Sequence, residues 1–265
     1  MTSPLDVVWL GHATADVRLG RTRILTDPVL RDRLAHLRRH AHDPALRPGP
    51  VDAVVISHLH HDHLDLPSLR LLPADTPLIV PRGAGRLVAR SAPGDVIEVV
   101  PGDTVVVGDT EVTAVPADHH PGRFLSRAKA QPLGFVFGTN DHTVYFPGDT
   151  DLHPVMADLP APDVALLPIW GWGRSLGSHH LDPERAARAA TMLRARSVLP
   201  VHWGTFAPVR ARRGVPAWFN RPAARFRTEM ERHAPDTELH LVAPGPDAVR
   251  LGRADGVPRR DATED

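Results

Sequence analysis

The chain of 265 residues contains no cysteine. That absence excludes a disulfide framework, a thiolate zinc ribbon, an iron-sulfur cluster on cysteine ligands and a cysteine nucleophile. Any metal must therefore be held chiefly by His, Asp or Glu, and the 17 histidines supply candidates. A surplus of charge of one sign is also missing, because 31 Lys plus Arg balance 31 Asp plus Glu. Proteins built to grip nucleic acid usually carry a basic excess, so no nucleic-acid partner is expected. Lysine is nearly absent: Lys129 is the single one, and the other basic residues are arginine. No uncharged apolar run approaches the length of a membrane span, and Met1 to Leu10 has no basic stretch leading into an apolar one. A soluble protein without a membrane span, located in the cytoplasm, is the expectation.

Hydrophobic residues make up 42% of the chain, with 20 Gly and 28 Pro, an ordinary globular composition. There is no repeat of solenoid period and no Gly/Ser linker, so one domain over residues 1–251 is expected, followed by a charged tail, 252–265, without fixed structure. Short β-branched runs bounded by Gly, Pro and Asp alternate with a few helical stretches, which predicts a mixed α/β fold. Strands are predicted at Val7–Leu10, Arg23–Leu25, Ala53–Ile56, Leu78–Val80, Val96–Val99, Thr104–Val107 and Glu111–Val115. Further strands are predicted at Leu133–Phe137, Thr143–Phe146, Val164–Leu167, Val198–Val201 and Glu238–Leu241. Gly108-Asp109 between two alternating runs predicts a hairpin. Helices are predicted at Pro183–Arg194, capped by Asp182, and from Pro222 to about His233.

The densest chemistry lies at Val54 to Asp65, V-V-I-S-H-L-H-H-D-H-L-D. A buried strand runs straight into His58, His60, Asp62 and His63, and imidazole and carboxylate are what zinc and similar ions take when thiolate is lacking. Alternate residues of an extended segment share a side, so His58 and His60 can grip one ion, while Asp62 and His63 face a second. Three more strands end in the same way, at Asp118, His119 and His120, at Asp149 within P-G-D-T, and at His202. Taken singly, Asp149 is also what a turn uses and His202 what a core can satisfy. Four such strand ends in one cysteine-free chain point to a shared site.

These motifs resemble the metallo-β-lactamase-fold hydrolases. The resemblance is carried by H-x-H-x-D-H at His58 to His63, H-H-P-G-R at His119 to Arg123, G-D-T-D at Gly148 to Asp151 and P-V-H-W-G-T-F at Pro200 to Phe206. Within them the chain is similar to the branch of N-acylphosphatidylethanolamine phospholipase D and ascorbate-phosphate lactonase. W-L-G-H-A-T at Trp9 to Thr14, L-T-D-P at Leu25 to Pro28 and H-L-D-P-E-R-A at His180 to Ala186 support that branch. The resemblance implies an αββα sandwich, two mixed β-sheets flanked by helices. It implies two divalent ions, zinc foremost, with manganese or iron compatible. His58, His60 and His119 would hold one ion, Asp62, His63 and His202 the other, and Asp149 would bridge them. Of the pair His119 and His120, the family pattern places the ligand first. His36, His40, His42 and His61 are read as surface or loop residues.

Two such ions acidify a bridging water, and the hydroxide formed attacks the scissile group while the metals stabilise the charge that develops. The expected reaction is hydrolysis of a phosphodiester or of a lactone or ester in a small or lipid-like anionic substrate. Asp62 and His180 are the candidate catalytic residues, Asp62 orienting the nucleophile and His180 acting on the leaving group. His12, Asp27 and Thr150 are candidates for fixing the ligand imidazoles. Arg31, Arg33, Arg38, Arg39 and Arg47 stand against Asp32 and Asp43, a patch able to hold an anionic group. Trp170, Trp172, Trp203, Trp218 and Phe219 can form an apolar wall or part of the core. A nuclease of the same fold and a metal-binding module without catalysis are the competing readings. Zero net charge weighs against the first, and the full set of seven ligand positions against the second.

Overall fold

The structure, a computed structural model, describes residues 3–41, 49–123, 126–171, 178–209 and 218–251. Its strands, in chain order, are β1 (Leu5–Gly11), β2 (Thr14–Leu19), β3 (Thr22–Thr26), β4 (Arg33–Leu34), β5 (Leu37–Arg39), β6 (Ala53–Val55), β7 (Leu78–Pro81) and β8 (Val96–Val99). They continue with β9 (Thr104–Val107), β10 (Thr110–Pro116), β11 (Leu133–Gly138), β12 (Thr143–Phe146), β13 (Val164–Pro168), β14 (Ser197–Val201), β15 (Phe206–Pro208), β16 (Glu238–Leu239) and β17 (Ala248–Arg250). Helices are α1 (Leu66–Leu69), α2 (Gly85–Val88), α3 (Val155–Asp158), α4 (Pro183–Leu193) and α5 (Arg221–His233).

Two seven-stranded sheets form, in the orders β17-β1-β2-β3-β6-β7-β8 and β16-β14-β13-β12-β11-β10-β9, with a small third sheet β15-β5-β4. Each large sheet is part antiparallel and part parallel: β3, β6, β7 and β8 run parallel in the first, and β12, β13, β14 and β16 in the second. Parallel strands buried on both faces need near-continuous apolar runs, which is how Val54 and Val55 or Leu78, Ile79 and Val80 read. Alternation divides them between two layers. Val55 and Ile79 join Trp9, Phe135, Phe137 and Leu166 in the core between the sheets, whereas Val54, Leu78 and Val80 face outward onto Leu69 of α1 and Val88 of α2. Each such fully buried side chain contributes about 1.5–3 kcal/mol.

Helix α4 forms where its sequence allows it. Asp182 Oδ1 accepts from the Arg185 N–H at 2.9 Å, Pro183 occupies the first turn, and Ala186, Ala187, Ala189, Ala190 and Leu193 bury one face. Arg194 in the left-handed region, φ 52°, ends it. Small alanines let α4 sit close on the second sheet and on α5.

The predicted strands and both long helices are present. Strand β2 was not foreseen because it carries a buried carboxylate, Asp16, made tolerable by Arg23, whose Nε and Nη2 donate to it at 2.9 and 2.7 Å. The predicted strand at Glu238–Leu241 is shorter, ending at Leu239. The tail 252–265 lies outside the described residues. Among the described residues no helix is long and apolar enough to cross a membrane.

Candidate metal centre

The C-terminal ends of the parallel strands from both sheets meet at one edge of the sandwich. Asp27 follows β3, His58 follows β6, Asp149 follows β12, and His202 follows β14 directly. His119 lies just beyond β10, and His12 sits in the turn between β1 and β2. Three of these residues take left-handed backbone conformations, His12 (φ 53°), Asp27 (φ 32°) and His202 (φ 64°). Such strain at a non-glycine residue costs on the order of 1–3 kcal/mol and persists only where surrounding contacts hold it. Here they do: His202 N–H donates to the His12 carbonyl at 2.9 Å, and Asp27 N–H to that of Val55 at 3.0 Å. Gly148 (φ +63°) is a position only glycine fits, since a Cβ there would lie 2.3 Å from Ser57 Cβ.

The side chains converge in two groups with Asp149 between them. In one, His119 Nε2 lies 3.0 Å from His60 Nδ1, and the ring of His58 is 4.6 Å from the rings of both. In the other, His63 Nε2 lies 3.2 Å from His202 Nε2, and Asp62 Oδ2 lies 3.8 and 3.6 Å from these two nitrogens. Asp149 Oδ2 is 3.4 Å from His63 Nε2 and 4.0 Å from His119 Nε2, while Oδ1 is 3.4 Å from His202 Nε2. Donors bound at about 2.0–2.1 Å around one tetrahedral zinc are separated by roughly 3.3 Å, close to these distances.

Hydrogen bonding assigns the proton positions. Ser57 Oγ donates to Asp27 Oδ2 at 2.5 Å, so it accepts from Nδ1–H of His58 at 2.9 Å. The remaining nitrogen of His58, Nε2, is then a bare lone pair, buried and without a partner. A buried lone pair aimed at other imidazole nitrogens is costly unless a cation fills the space, so these residues fit a metal. Nδ1 of His63 donates to Asp27 Oδ2 at 2.6 Å, Nδ1 of His119 to the His179 carbonyl at 2.8 Å, and Nδ1 of His202 to the Trp170 carbonyl.

Electrostatics divide the two groups. Burial, reinforced by the neighbouring His63 and His119, holds His58 well below the usual imidazole range. Burial brings His119 down to about 4 despite Asp149, and lowers His60 too. Burial, with His202 adding to it, takes His12 to about 3. For His63 and His202 burial also pulls downward, but Asp149 and Asp62 outweigh it and raise both. Burial alone would raise Asp62 and Asp149, yet the surrounding histidines hold both well below the carboxylate range. Without an ion, the two anionic carboxylates are thus balanced by the proton-holding His63 and His202, while His58, His60 and His119 stay neutral, and a divalent ion would take the place of those protons.

Residues 22–203 match the family model described as "Beta-lactamase superfamily domain". The chain belongs to this family. Among the relatives of this beta-lactamase-superfamily chain, an uncharacterized protein of Mycobacterium tuberculosis is 37% identical over 222 residues, covering 77% of this chain and 60% of that one. The chain thus spans 60% of the length of that relative. A UPF0173 metal-dependent hydrolase of Nitratidesulfovibrio vulgaris is 33% identical over 259 residues, covering 94% of this chain and 96% of its own. N-acyl-phosphatidylethanolamine-hydrolyzing phospholipase D 1 of Caenorhabditis elegans is 31% identical over 232 residues, 77% of this chain and 65% of that one. Among solved structures, Igni18, a metallo hydrolase from Ignicoccus hospitalis, superposes with a TM-score of 0.72 at 24% identity, covering 94% of this chain and 99% of that one. The fold is that of the metallo-β-lactamases, the expected αββα sandwich.

All seven residues expected as ligands meet in this family member. His120 points elsewhere, exposed and stacked edgewise on His179 at 4.7 Å between ring centroids, so His119 is the inward member of its pair. His180 reaches the rim, its Nε2 3.8 Å from Asp149 Oδ2 and its side chain 25% exposed. His12 and Asp27 each hold a site residue, His12 Nε2 donating to Asp62 Oδ2 at 2.9 Å. Among the described residues Thr150 forms no hydrogen bond to an imidazole; its Oγ1 accepts from Asp118 N–H at 2.9 Å and donates to the Asp151 carbonyl. It organises the loop beside His119 instead.

The arginine patch is largely absorbed by the fold. Arg31 forms a two-pronged bond to Asp65 at 2.7 and 2.6 Å, and the buried Arg39 donates to the carbonyls of Leu10 and Val29 and lies over the Phe206 ring. Arg47 and His42 lie outside the described residues, as does Trp172. Trp203 is core, packed on Trp9 at 5.3 Å, and Phe219 is buried. Trp170 and Trp218, 5.3 Å apart, are the aromatic pair left beside His202.

Two contributors escaped sequence reasoning. Ser57 sits beside His58 in the motif but reads as a spacer. Arg123, quoted only as part of a motif, is buried and donates to the carbonyls of Leu59 and Leu64 at 2.7 and 2.9 Å and to His61 at 2.9 Å. It ties down the loop that carries His60, Asp62 and His63, a tertiary role no local pattern announces.

Proposed function

We propose that the protein is a metal-dependent hydrolase with two divalent ions, zinc foremost. His58, His60 and His119 hold one, Asp62, His63 and His202 the other, and Asp149 reaches both. The observation that carries this reading is the partnerless Nε2 of His58 facing His60 and His119, opposite a second nitrogen pair, His63 and His202, 3.2 Å apart. When bound, such ions supply Lewis acidity for the scissile oxygen and lower the pKa of water toward neutrality.

The chain's own residues supply orientation. Ser57, Asp27 and the carbonyls of His179 and Trp170 fix the ring orientations of His58, His63, His119 and His202. His12, kept neutral by burial, donates Nε2–H to one oxygen of Asp62 and holds that carboxylate toward the site. His180, at the rim and within 3.8 Å of Asp149, is placed to give a proton to the departing group. The substrate class is a phosphodiester or a lactone or ester in a small or lipid-like anionic molecule. The similarity to a phospholipase D that hydrolyses N-acyl-phosphatidylethanolamine favours the phosphodiester.

Metal-replete protein should contain close to two equivalents of zinc per chain and hydrolyse bis(p-nitrophenyl) phosphate or simple lactones. Asp149→Ala should lower kcat by at least about a thousandfold and reduce the zinc content. One equivalent or none in the parent protein, or an unaffected rate in the variant, refutes the paired site. Cleavage of single-stranded RNA instead would favour a nuclease, and silence on all three substrates a module without catalysis.

A further inference from the structure

His119 and its neighbour Asp118 also line an open cavity of about 450 Å³, on whose wall stand two cationic side chains, Arg82 and Lys129. Arg82 follows β7 directly, and Lys129 is the only lysine in the chain. Neither side chain forms an ion pair or hydrogen bond with another described residue. The acid in the cavity, Asp118, is already engaged, its Oδ1 2.6 Å from Nδ1 of His179. Gln131 adds an amide to the same wall. The cavity is therefore electropositive and opens beside an imidazole of the candidate metal centre.

The backbone that carries the two cations is fixed on both sides. Arg82 N–H donates to the Val99 carbonyl at 2.9 Å, and Glu98 Oε1 accepts from the N–H groups of Gly83 and Gly85 at 2.9 and 2.7 Å. Lys129 bridges to Gly122, and Ala130 N–H donates to the Pro121 carbonyl at 3.0 Å. The two segments touch at Gly83, φ +99°, where a Cβ would fall 2.9 Å from the Lys129 carbonyl oxygen. A glycine there lets the loops approach and bring both cations to one cavity. Arg31 and Arg39, by contrast, spend their donors on Asp65 and on main-chain carbonyls.

We propose that Arg82 and Lys129 form a recognition subsite for an oxyanion, carboxylate or phosphate, carried by the substrate whose reacting bond lies beside His119. The proposal rests on the metal-centre reading for what happens to that bond, but not for the binding of the anion. A planar guanidinium and a mobile ammonium together grip an oxyanion with charge-assisted bonds, each improving affinity by roughly tenfold.

The single lysine provides a direct test. Reductive methylation with 13C-formaldehyde labels Lys129 and the terminal amine while keeping the charge, and comparison with Lys129→Arg identifies the Lys129 resonance. Titration of the zinc-loaded protein with glutarate, and separately with inorganic phosphate, should shift that resonance saturably with at least one of them, which tells carboxylate from phosphate. Arg82→Ala should raise the dissociation constant roughly tenfold. No saturable shift with either anion, or the same constant in Arg82→Ala, overturns the subsite. In turnover, the Arg82→Ala/Lys129→Ala double variant should raise KM for mono-p-nitrophenyl glutarate at least about tenfold and leave p-nitrophenyl acetate within about twofold, with Lys129→Arg close to the parent. Equal losses on both esters overturn it as well. Saturable anion binding at Lys129 with no hydrolysis of either ester, of bis(p-nitrophenyl) phosphate or of simple lactones would refute the hydrolase reading and leave the subsite standing.

Discussion

Asp27 and His63 are joined by a 2.6 Å hydrogen bond in which both side chains are fully buried. The same carboxylate accepts from the N–H and Oγ–H of Ser57 at 2.7 and 2.5 Å, and Ser57 in turn holds Nδ1 of His58. One residue at the end of β3 therefore orients an imidazole in each of the two candidate ligand groups. Asp27 itself, pushed up by burial, is restrained by His63 and Ser57.

Asp27→Asn should consequently weaken zinc at both positions, by about 10- to 100-fold in competition with a chelator. Ser57→Ala, which loosens only His58, should weaken one equivalent and leave the other within about twofold. Equal effects of the two substitutions would show that Asp27 does not act through both rings. Retained far-ultraviolet circular dichroism separates lost orientation from lost fold.

The metal-free protein should lose stability on acidification in a window set by its low-pKa histidines. His12, at about 3, and His119, at about 4, bind fewer protons when folded than the ordinary imidazole of the unfolded chain, and His58 behaves likewise. Stability is complete above about pH 6.5 for these groups and falls as pH drops toward 4, by up to about 1.4 kcal/mol per pH unit for each histidine involved. His63 and His202 have the opposite sign: their contribution is present below about pH 6.5 and is lost as pH rises through their elevated values. Thermal melts of chelator-treated protein across pH 4 to 9 should show both limbs. A melting temperature that stays level between pH 6.5 and 4.5 would contradict the buried neutral imidazoles.

Gly148→Ala should be among the most damaging single-methyl additions in the chain. The new Cβ meets Ser57 Cβ at 2.3 Å and the backbone sits at φ +63°, so a loss of about 2–4 kcal/mol is expected, read as a lower midpoint in urea. Gly138→Ala, with nothing within 4 Å, should cost under about 1 kcal/mol. Comparable midpoints for the two variants would mean that the Asp149 loop does not press on Ser57.

Composition and strand patterning by themselves determined a cysteine-free, mixed α/β chain in which four apolar strands run into His or Asp side chains, and the motifs at those strand ends carried the family resemblance that implied the αββα sandwich. Helix α4 was equally legible, its cap, proline and alanine face lying within a dozen consecutive residues. Three-dimensional packing alone decided what surrounds that site. Arg39 and Arg31 look like free cations in the chain and are consumed by carbonyls and Asp65, while Arg82 and Lys129, 47 positions apart, meet at one cavity and form no ion pair among the described residues. Ser57, Arg123 and Asp16 have roles that depend on partners 7 to 64 residues away. The physical reason is that strand and helix periodicity is a local property of the backbone, whereas the fate of a buried charge depends on which distant donor the folded chain brings within about 3 Å.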